Sequence, residues 1–272
     1  MYVQTNETGK HGHQSHLQQA VTQFLTPRSL PPTPRDEELL RRGMGLNLSC
    51  GLAATAWGTG PTILLAHGWE SRRTHWGAFV PSLIETGFRV IAVDAPAHAD
   101  SPGTQVSVFD YAQALAGVGR EIGPLSGVVG HSFGAAAAAF ALHLGLDAER
   151  AVLISGPASL TAVIERWGRH HGMSEDEIPT FVRLVAERTE VPLKSLDLAH
   201  VAVDLKQPAL IIHDRGDDDI PLEDALALVA AWPRATLVVT ERFGHRRILI
   251  AKEVVKHVVH FLKDGYNVSD TV

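Results

Sequence analysis

A chain of 272 residues, 45% hydrophobic and 20% charged, has the length of one globular domain with room for an insertion. Its formal net charge is −6 and its Lys and Arg are scattered, so no basic stripe marks a nucleic-acid or anionic-membrane partner. One cysteine, Cys50, excludes an intrachain disulfide; residues 1–14 lack the apolar run of a signal peptide and no apolar stretch reaches membrane-span length, so a cytoplasmic protein is the expectation.

Residues 1–15 are polar and rich in His, Gln and Gly, and read as a disordered tail; His11, His13 and His16 have no acidic or Cys companion to complete a metal site. A short helix is expected over 17–25. Residues 26–35 hold four prolines and read as an extended linker, and 36–42 as a short capped helix. Residues 1–44 therefore form a polar arm and linker ahead of the core. Residues 46–57 alternate loosely around Gly51, which predicts an antiparallel strand or hairpin at a sheet edge. Then come short apolar runs at 62–66, 89–93, 127–129, 151–154, 209–212 and 236–239. Such continuous apolarity marks strands buried on both faces, as in a parallel sheet with helices on each side. Helical periodicity fills 75–86, 107–122, 133–145, 221–231 and 247–263. Between 154 and 208 no strand is legible, and helical pieces at 159–169, 174–188 and 194–200 indicate a helical insertion over 157–204, with 45–156 and 205–272 as the core.

The chemistry lies at the ends of these strands. Gly130-His131-Ser132-Phe133-Gly134 follows an apolar run and opens an Ala-rich helix. A serine at so sharp a turn is forced outward, and the flanking glycines are needed where neighbouring backbone passes too close for a Cβ. Ser132 is the candidate nucleophile. An oxyanion formed there needs two backbone N–H donors, which would be Phe133 and, from the loop His67-Gly68-Trp69, Trp69; a pocket-wall role for Trp69 is the other reading. His67 is expected to brace that loop. His245, in Phe243-Gly244-His245, is the candidate base, because the order nucleophile, acid, base needs a histidine in a loop beyond the acid. His143, His257 and His260 lie on helices, and His170 and His171 in the insertion. The acid belongs to the loop after 209–212, which holds Asp214, Asp217, Asp218 and Asp219. Spacing does not choose among them: Asp214 lies close to the strand, Asp219 close to the next helix start, and at least two must be solvated turn residues. Asp94 reads as structural.

Over about residues 45–265 the sequence resembles the α/β-hydrolase family. His67-Gly68-Trp69 is similar to its His-Gly-x, and Asp94-Ala95-Pro96-Ala97-His98-Ala99-Asp100-Ser101 to its Asp-x-Pro-Gly-His-Gly-x-Ser, with Ala97 and Ala99 in place of glycines. The elbow matches at Gly130, Ser132 and Gly134, and His245 matches the Gly-His before the final helix. The acid loop maps onto His213 to Pro221, which selects Asp217, with Asp214 standing for a glycine and Ile220 for a valine.

The resemblance implies an α/β fold with an eight-stranded, mostly parallel sheet and a helical cap, and a catalytic triad of Ser132, Asp217 and His245. No metal or organic cofactor is required. The expected partner is a small-molecule ester of small or medium acyl length, because the insertion is short and carries apolar residues such as Trp167 and Phe181, the expected pocket residues. A thioesterase or carbon–carbon bond hydrolase would use the same triad, and a non-catalytic ligand-binding protein could share the scaffold, although the intact triad argues against it. Dehalogenase or epoxide hydrolase chemistry is disfavoured, since those relatives carry an Asp where this chain has Ser132.

Overall fold

The short apolar runs form the strands of one sheet whose inner members are buried on both sides and whose two edge members are partly exposed. In the computed structural model, which describes residues 7–264 (without the side chains of 7–15, Lys194 and Ser195), these strands are β1 (Met44–Asn47), β2 (Ala53–Trp57), β3 (Thr62–Ala66), β4 (Arg89–Val93), β5 (Gly127–His131), β6 (Ala151–Ile154), β7 (Ala209–Asp214) and β8 (Ala235–Thr240). The sheet order is β1-β2-β4-β3-β5-β6-β7-β8. β1 and β2 pair antiparallel at one edge, β2 runs antiparallel to β4, and the rest is parallel. Successive side chains alternate between two cores. Leu64, Ile91, Val128, Leu153 and Ile211 join one, and Ile63, Leu65, Val90, Val129, Val152 and Leu210 join the other. The first core is closed by α4 (Val108–Ile122), α5 (Phe133–His143) and α9 (Leu222–Ala231), the second by α3 (Phe79–Glu85) and α11 (Lys252–Asp264).

Between β6 and β7 lie α6 (Leu160–His170), α7 (Ile178–Arg188), a 3-10 turn at Leu193–Leu196 and α8 (Leu198–Ala202). None of this segment joins the sheet; its β pairing is an isolated bridge between Ser159 and Asp197. Its two ends differ, because α8 packs on α5 and α9 of the core while α6 and α7 pack on each other. None of the described helices is long and apolar enough to cross a membrane.

Three expectations need correction. Residues 7–15, read as a disordered tail, are helical: α1 runs Glu7–Leu25, and residues 1–6 lie outside the described residues, as do the side chains of His11 and His13. Leu17, Ala20, Val21, Phe24 and Leu25 form a stripe at helical spacing, and α1 packs on α7. Once one end is anchored, the helix propagates into the polar turns, because extension needs no new nucleus. The short helix placed at 36–42 is α2 (Pro34–Arg41), begun earlier by a capping box in which Thr33 Oγ1 accepts from Asp36 N–H and Asp36 Oδ2 accepts from Thr33 N–H; the linker's last proline is its first residue. The single helix placed at 247–263 is three pieces: α10 (Gly244–Arg247), a 3-10 turn at Ile248–Ile250, and α11 after an extended Ala251. The break lets Ile248 and Val254, each 0% exposed, both point into the core.

The two alanines that replace glycines in the loop after β4 both take left-handed backbone, with φ of 61° at Ala97 and 45° at Ala99. Their turn forms because it is nailed from inside. Asp94 is fully buried and accepts from the Arg73 amide (2.6 Å), the Arg73 guanidinium and the Asp100 amide, and Ser101 Oγ donates to the Asp94 carbonyl (2.8 Å). A Cβ in this region is unfavourable by about 1–2 kcal/mol, and a glycine returns part of that through unfolded-chain entropy. Ala97→Gly and Ala99→Gly are each expected to stabilise the fold by about 0.5–1 kcal/mol, measured by reversible denaturant unfolding. A loss of stability in both would contradict the strain.

Candidate active site

Ser132 stands where β5 turns into α5, with φ 52° and ψ −116°. That backbone is strained by roughly 1–3 kcal/mol for a residue with a side chain, and the surroundings hold it in place. Its N–H donates to Ile154 O (2.9 Å), and its carbonyl accepts from Ala135 and Ala136 as the helix starts. The glycines on either side are obligatory on steric grounds. A Cβ at Gly130 would lie 2.3 Å from Gly134 O, and one at Gly134 would lie 2.2 Å from Ala66 O and 2.5 Å from His67 O. The elbow thus presses against the end of β3, which brings the loop of Trp69 beside Ser132.

His245 reaches the same place from α10. Its Nε2 lies 2.9 Å from Ser132 Oγ, and its Nδ1 lies 2.8 Å and 3.0 Å from the two oxygens of Asp217. A carboxylate only accepts, so Nδ1 carries the proton and Nε2 is left to accept from the serine hydroxyl. Asp217 Oδ1 also accepts from Asp219 N–H (3.0 Å) and Ile220 N–H (2.9 Å). Burial would raise this carboxyl, but the hydrogen bond and charge of His245, with the Ile220 amide, outweigh it and hold the group below its ordinary value.

The four aspartates of the loop now separate. Asp218 and Asp219 are exposed, and Asp219 comes only within 4.0 Å of His245 Nε2. Asp214 is 0% exposed and does not touch His245. Its carboxylate instead accepts from Thr240 Oγ1 (2.9 Å), Phe243 N–H (3.1 Å) and Gly216 N–H (3.0 Å), which ties the loop carrying His245 to the end of β7.

Other histidines frame the site. His131 Nε2 donates to the carbonyl of His245 (2.8 Å), and burial, then the adjacent His245 ring, pushes its pKa down to about 3. His67 braces its loop: Nε2 accepts from Ala95 N–H (2.9 Å) and Nδ1 donates to Gly68 O (2.8 Å), and burial, then His98, keeps the ring neutral well below its ordinary value. Gly68 has no room for a side chain, since a Cβ there would lie 2.8 Å from His131 Nδ1. In the same loop Glu70 N–H is engaged by His98 Nε2 (3.1 Å). On the other side, Phe133 N–H is the first of α5 and has no intrahelical acceptor. The Trp69 and Phe133 rings meet edge to face, centroids 5.2 Å apart.

Ser132, His245, Trp69, Phe133 and Trp167 all line one cavity of about 940 Å³. Phe181 does not. It is 0% exposed, stacked behind Trp167 with centroids 5.4 Å apart, so it supports the wall instead of forming it. The sequence reading missed part of the lining: Phe24 and Leu25 of α1 and Leu39 of α2 reach the cavity from the arm taken for a linker. The apolar stripe from Leu17 to Leu25 was the available signal, but a stripe does not say what it packs against.

A model of the alpha/beta hydrolase family matches residues 63–257. Over 80 residues, 29% of this chain and 14% of the other, the sequence is 35% identical to bifunctional epoxide hydrolase 2 of Sus scrofa. Over 52 residues, 19% of this chain and 20% of the other, it is 42% identical to the pimeloyl-(acyl-carrier protein) methyl ester esterase of Methylococcus capsulatus. These matches span a small fraction of both relatives. Among solved structures, an esterase from Pyrococcus furiosus is similar with a TM-score of 0.66 at 21% identity, covering 88% of this chain and 98% of that one. A likeness at that identity shows a shared fold, and the family match runs from β3 into α11 across elbow, acid loop and histidine turn: the chain belongs to the alpha/beta hydrolase family.

Proposed function

We propose that the protein is a serine hydrolase that cleaves carboxylic esters of small or medium acyl length through an acyl-enzyme. The observation that carries this reading is the unbroken relay from Ser132 Oγ to His245 Nε2 (2.9 Å) and from His245 Nδ1 to Asp217 (2.8 Å) at the floor of a cavity. In this reading His245 takes the hydroxyl proton as Ser132 Oγ bonds to the substrate carbonyl carbon. The oxyanion is held by the amides of Phe133 and Trp69. His245 returns the proton to the departing alcohol; a water then attacks the acyl-enzyme with His245 again as base, releasing the acid and restoring Ser132. Asp217 stays ionised throughout, holding the imidazole in its tautomer and stabilising it when charged.

Replacing Ser132 with Ala is expected to lower kcat for p-nitrophenyl esters by about a thousand-fold or more and to abolish covalent labelling by a fluorophosphonate, with the circular-dichroism melt preserved. A variant that keeps a tenth of the activity sinks the assignment. Asp217→Asn is expected to lose on the order of 10⁴ in kcat, the scale of a mis-set imidazole tautomer, while Asp218→Asn and Asp219→Asn stay within about tenfold of the parent. Asp214→Asn is expected to act on stability, since its carboxylate holds the loop of His245 to the sheet. An inverted pattern, with Asp217→Asn near parental rate, would make another residue the acid.

The pH profile is a separate check. kcat/KM is expected to fall as the medium is acidified, because a protonated His245 cannot accept the serine proton. His131, with its pKa near about 3, and Asp217, held below the ordinary carboxyl range, keep their states over about pH 5 to 8 and contribute nothing there. A rate that does not fall on acidification, with stability controlled, contradicts a histidine base.

A further inference from the structure

We propose that α1, the N-terminal helix, is part of the active site, its Phe24 and Leu25 forming the far wall of a pocket that receives the hydrocarbon chain of the ester. This rests on the ester reading above and assigns the apolar part of the substrate to a segment outside the stretch of chain that the family match covers.

The first ground is the wall itself. Along the apolar stripe of α1, Leu17 and Val21 are 3% and 2% exposed, as expected for residues that only pack. Phe24 is half-buried and lines the cavity that holds Ser132. Its ring sits edge-on to Trp167, centroids 5.4 Å apart, and to Phe181 at 6.0 Å, so the aromatic surface begun on α6 and α7 continues without a gap onto α1. A phenyl ring whose only task was to clamp α1 to α7 would be covered like its neighbours on the stripe.

The second ground is what this segment is bonded to. Leu25 O accepts from the N–H of Val106, itself a lining residue (2.9 Å). Just beyond, Arg28 makes a two-pronged pair with Glu70, Nε to Oε1 at 2.8 Å and Nη2 to Oε2 at 2.6 Å, and its own amide adds a third contact at 3.2 Å. Glu70 follows Trp69 in the loop beside Ser132. The arm is thus bonded to two residues that line the cavity, Val106 through backbone and Glu70 through an exposed ion pair, as a wall would be.

The chemistry of the wall names the ligand. Phe24, Leu25, Val106 and Trp167 offer hydrocarbon and ring faces, which suit an alkyl chain, whereas the charged lining residues Arg35, Glu38 and Arg42 come from α2 and the turn after it. The cavity volume of about 940 Å³ lies near the top of the range of about 300–1,000 Å³ for small-molecule sites, more than an acetyl group fills.

The test is a pair of opposite substitutions, Phe24→Ala and Phe24→Trp, assayed for kcat/KM on p-nitrophenyl esters of graded acyl length and on alkyl acetates of graded alkoxy length. Each buried methylene is worth about fourfold. Phe24→Ala is expected to move the preferred length up by about two carbons and the long-to-short selectivity by roughly tenfold; Phe24→Trp is expected to move both the other way. The series that responds identifies whether the chain is acyl or alkoxy. Loosened structure lowers all lengths by one factor, so a uniform loss, or an unmoved selectivity in both series, overturns the proposal. Phe24→Leu replaces the alanine variant if that fails to fold. If the parent cleaves no ester, the esterase reading fails by itself, and the wall is then tested by calorimetric binding of straight-chain fatty acids to parent and variants. A shifted length preference supports it; identical length dependence overturns it.

Discussion

Everything in the site depends on one steric constraint, the close passage of the β5–α5 turn against the end of β3. Gly134 packs where a Cβ would sit 2.2 Å from the carbonyl of Ala66, and Gly130 where one would meet the first turn of α5. Only with both positions bare can the chain reverse fast enough to leave Ser132 at φ 52°, its side chain thrown clear of the sheet and its neighbour's amide free at the start of a helix. The same contact brings the loop after β3 alongside. The positions of the candidate nucleophile and of both candidate oxyanion donors are consequences of one packing event.

The sheet order supplies the other partners. β5 lies at the centre, β3 on one side, and β6, β7 and β8 follow in sequence on the other. Parallel strands deliver all their C-terminal loops to one edge, so the loop after β7 and the turn after β8 arrive on the side where Ser132 points. Two carboxylates divide the work there. Asp214 is consumed in holding backbone and lies below its ordinary value because, against burial, the amides of Gly244 and Phe243 and the Thr240 hydroxyl stabilise its charge. Asp217 is stabilised instead by His245. Neighbouring residues of one type are thus separated by what their oxygens accept, which is a tertiary fact.

Around this centre the polar groups are mostly neutral or spoken for. His67 and His131 are kept uncharged by burial and brace backbone, and Asp94 closes its own loop with Arg73. The cavity above them is lined by segments from separate parts of the chain: the β3 loop, α6 and α7, and the arm ahead of the first strand. The arm is bonded to the lining residues Val106 and Glu70 by hydrogen bonds and an ion pair, whereas α6 and α7 are joined to it through aromatic rings.

The sequence by itself determined what short-range physics encodes. Continuous apolar runs of a few residues specified the strands, because in the inner strands of a sheet covered on both faces every side chain is inside. Glycines at 130 and 134 around Ser132 marked the elbow, since only a strand-to-helix reversal needs two bare Cα atoms so close. The stripe from Leu17 to Leu25 marked a helix. What the sequence left open was where surfaces meet. Phe24 was legible as apolar but not as a cavity wall, because its partners Trp167 and Phe181 belong to helices past the centre of the chain. Spacing could not tell the partner of His245 from the brace among Asp214 and Asp217, because both lie in the same loop and the distinction rests on a histidine 28 residues from Asp217. The breaks around Ala251 and the helix continuing through 7–15 were likewise decided by packing. Ser132 and His245 are 113 residues apart, and no local pattern carries a distance across that separation; folding the sheet sets it at 2.9 Å.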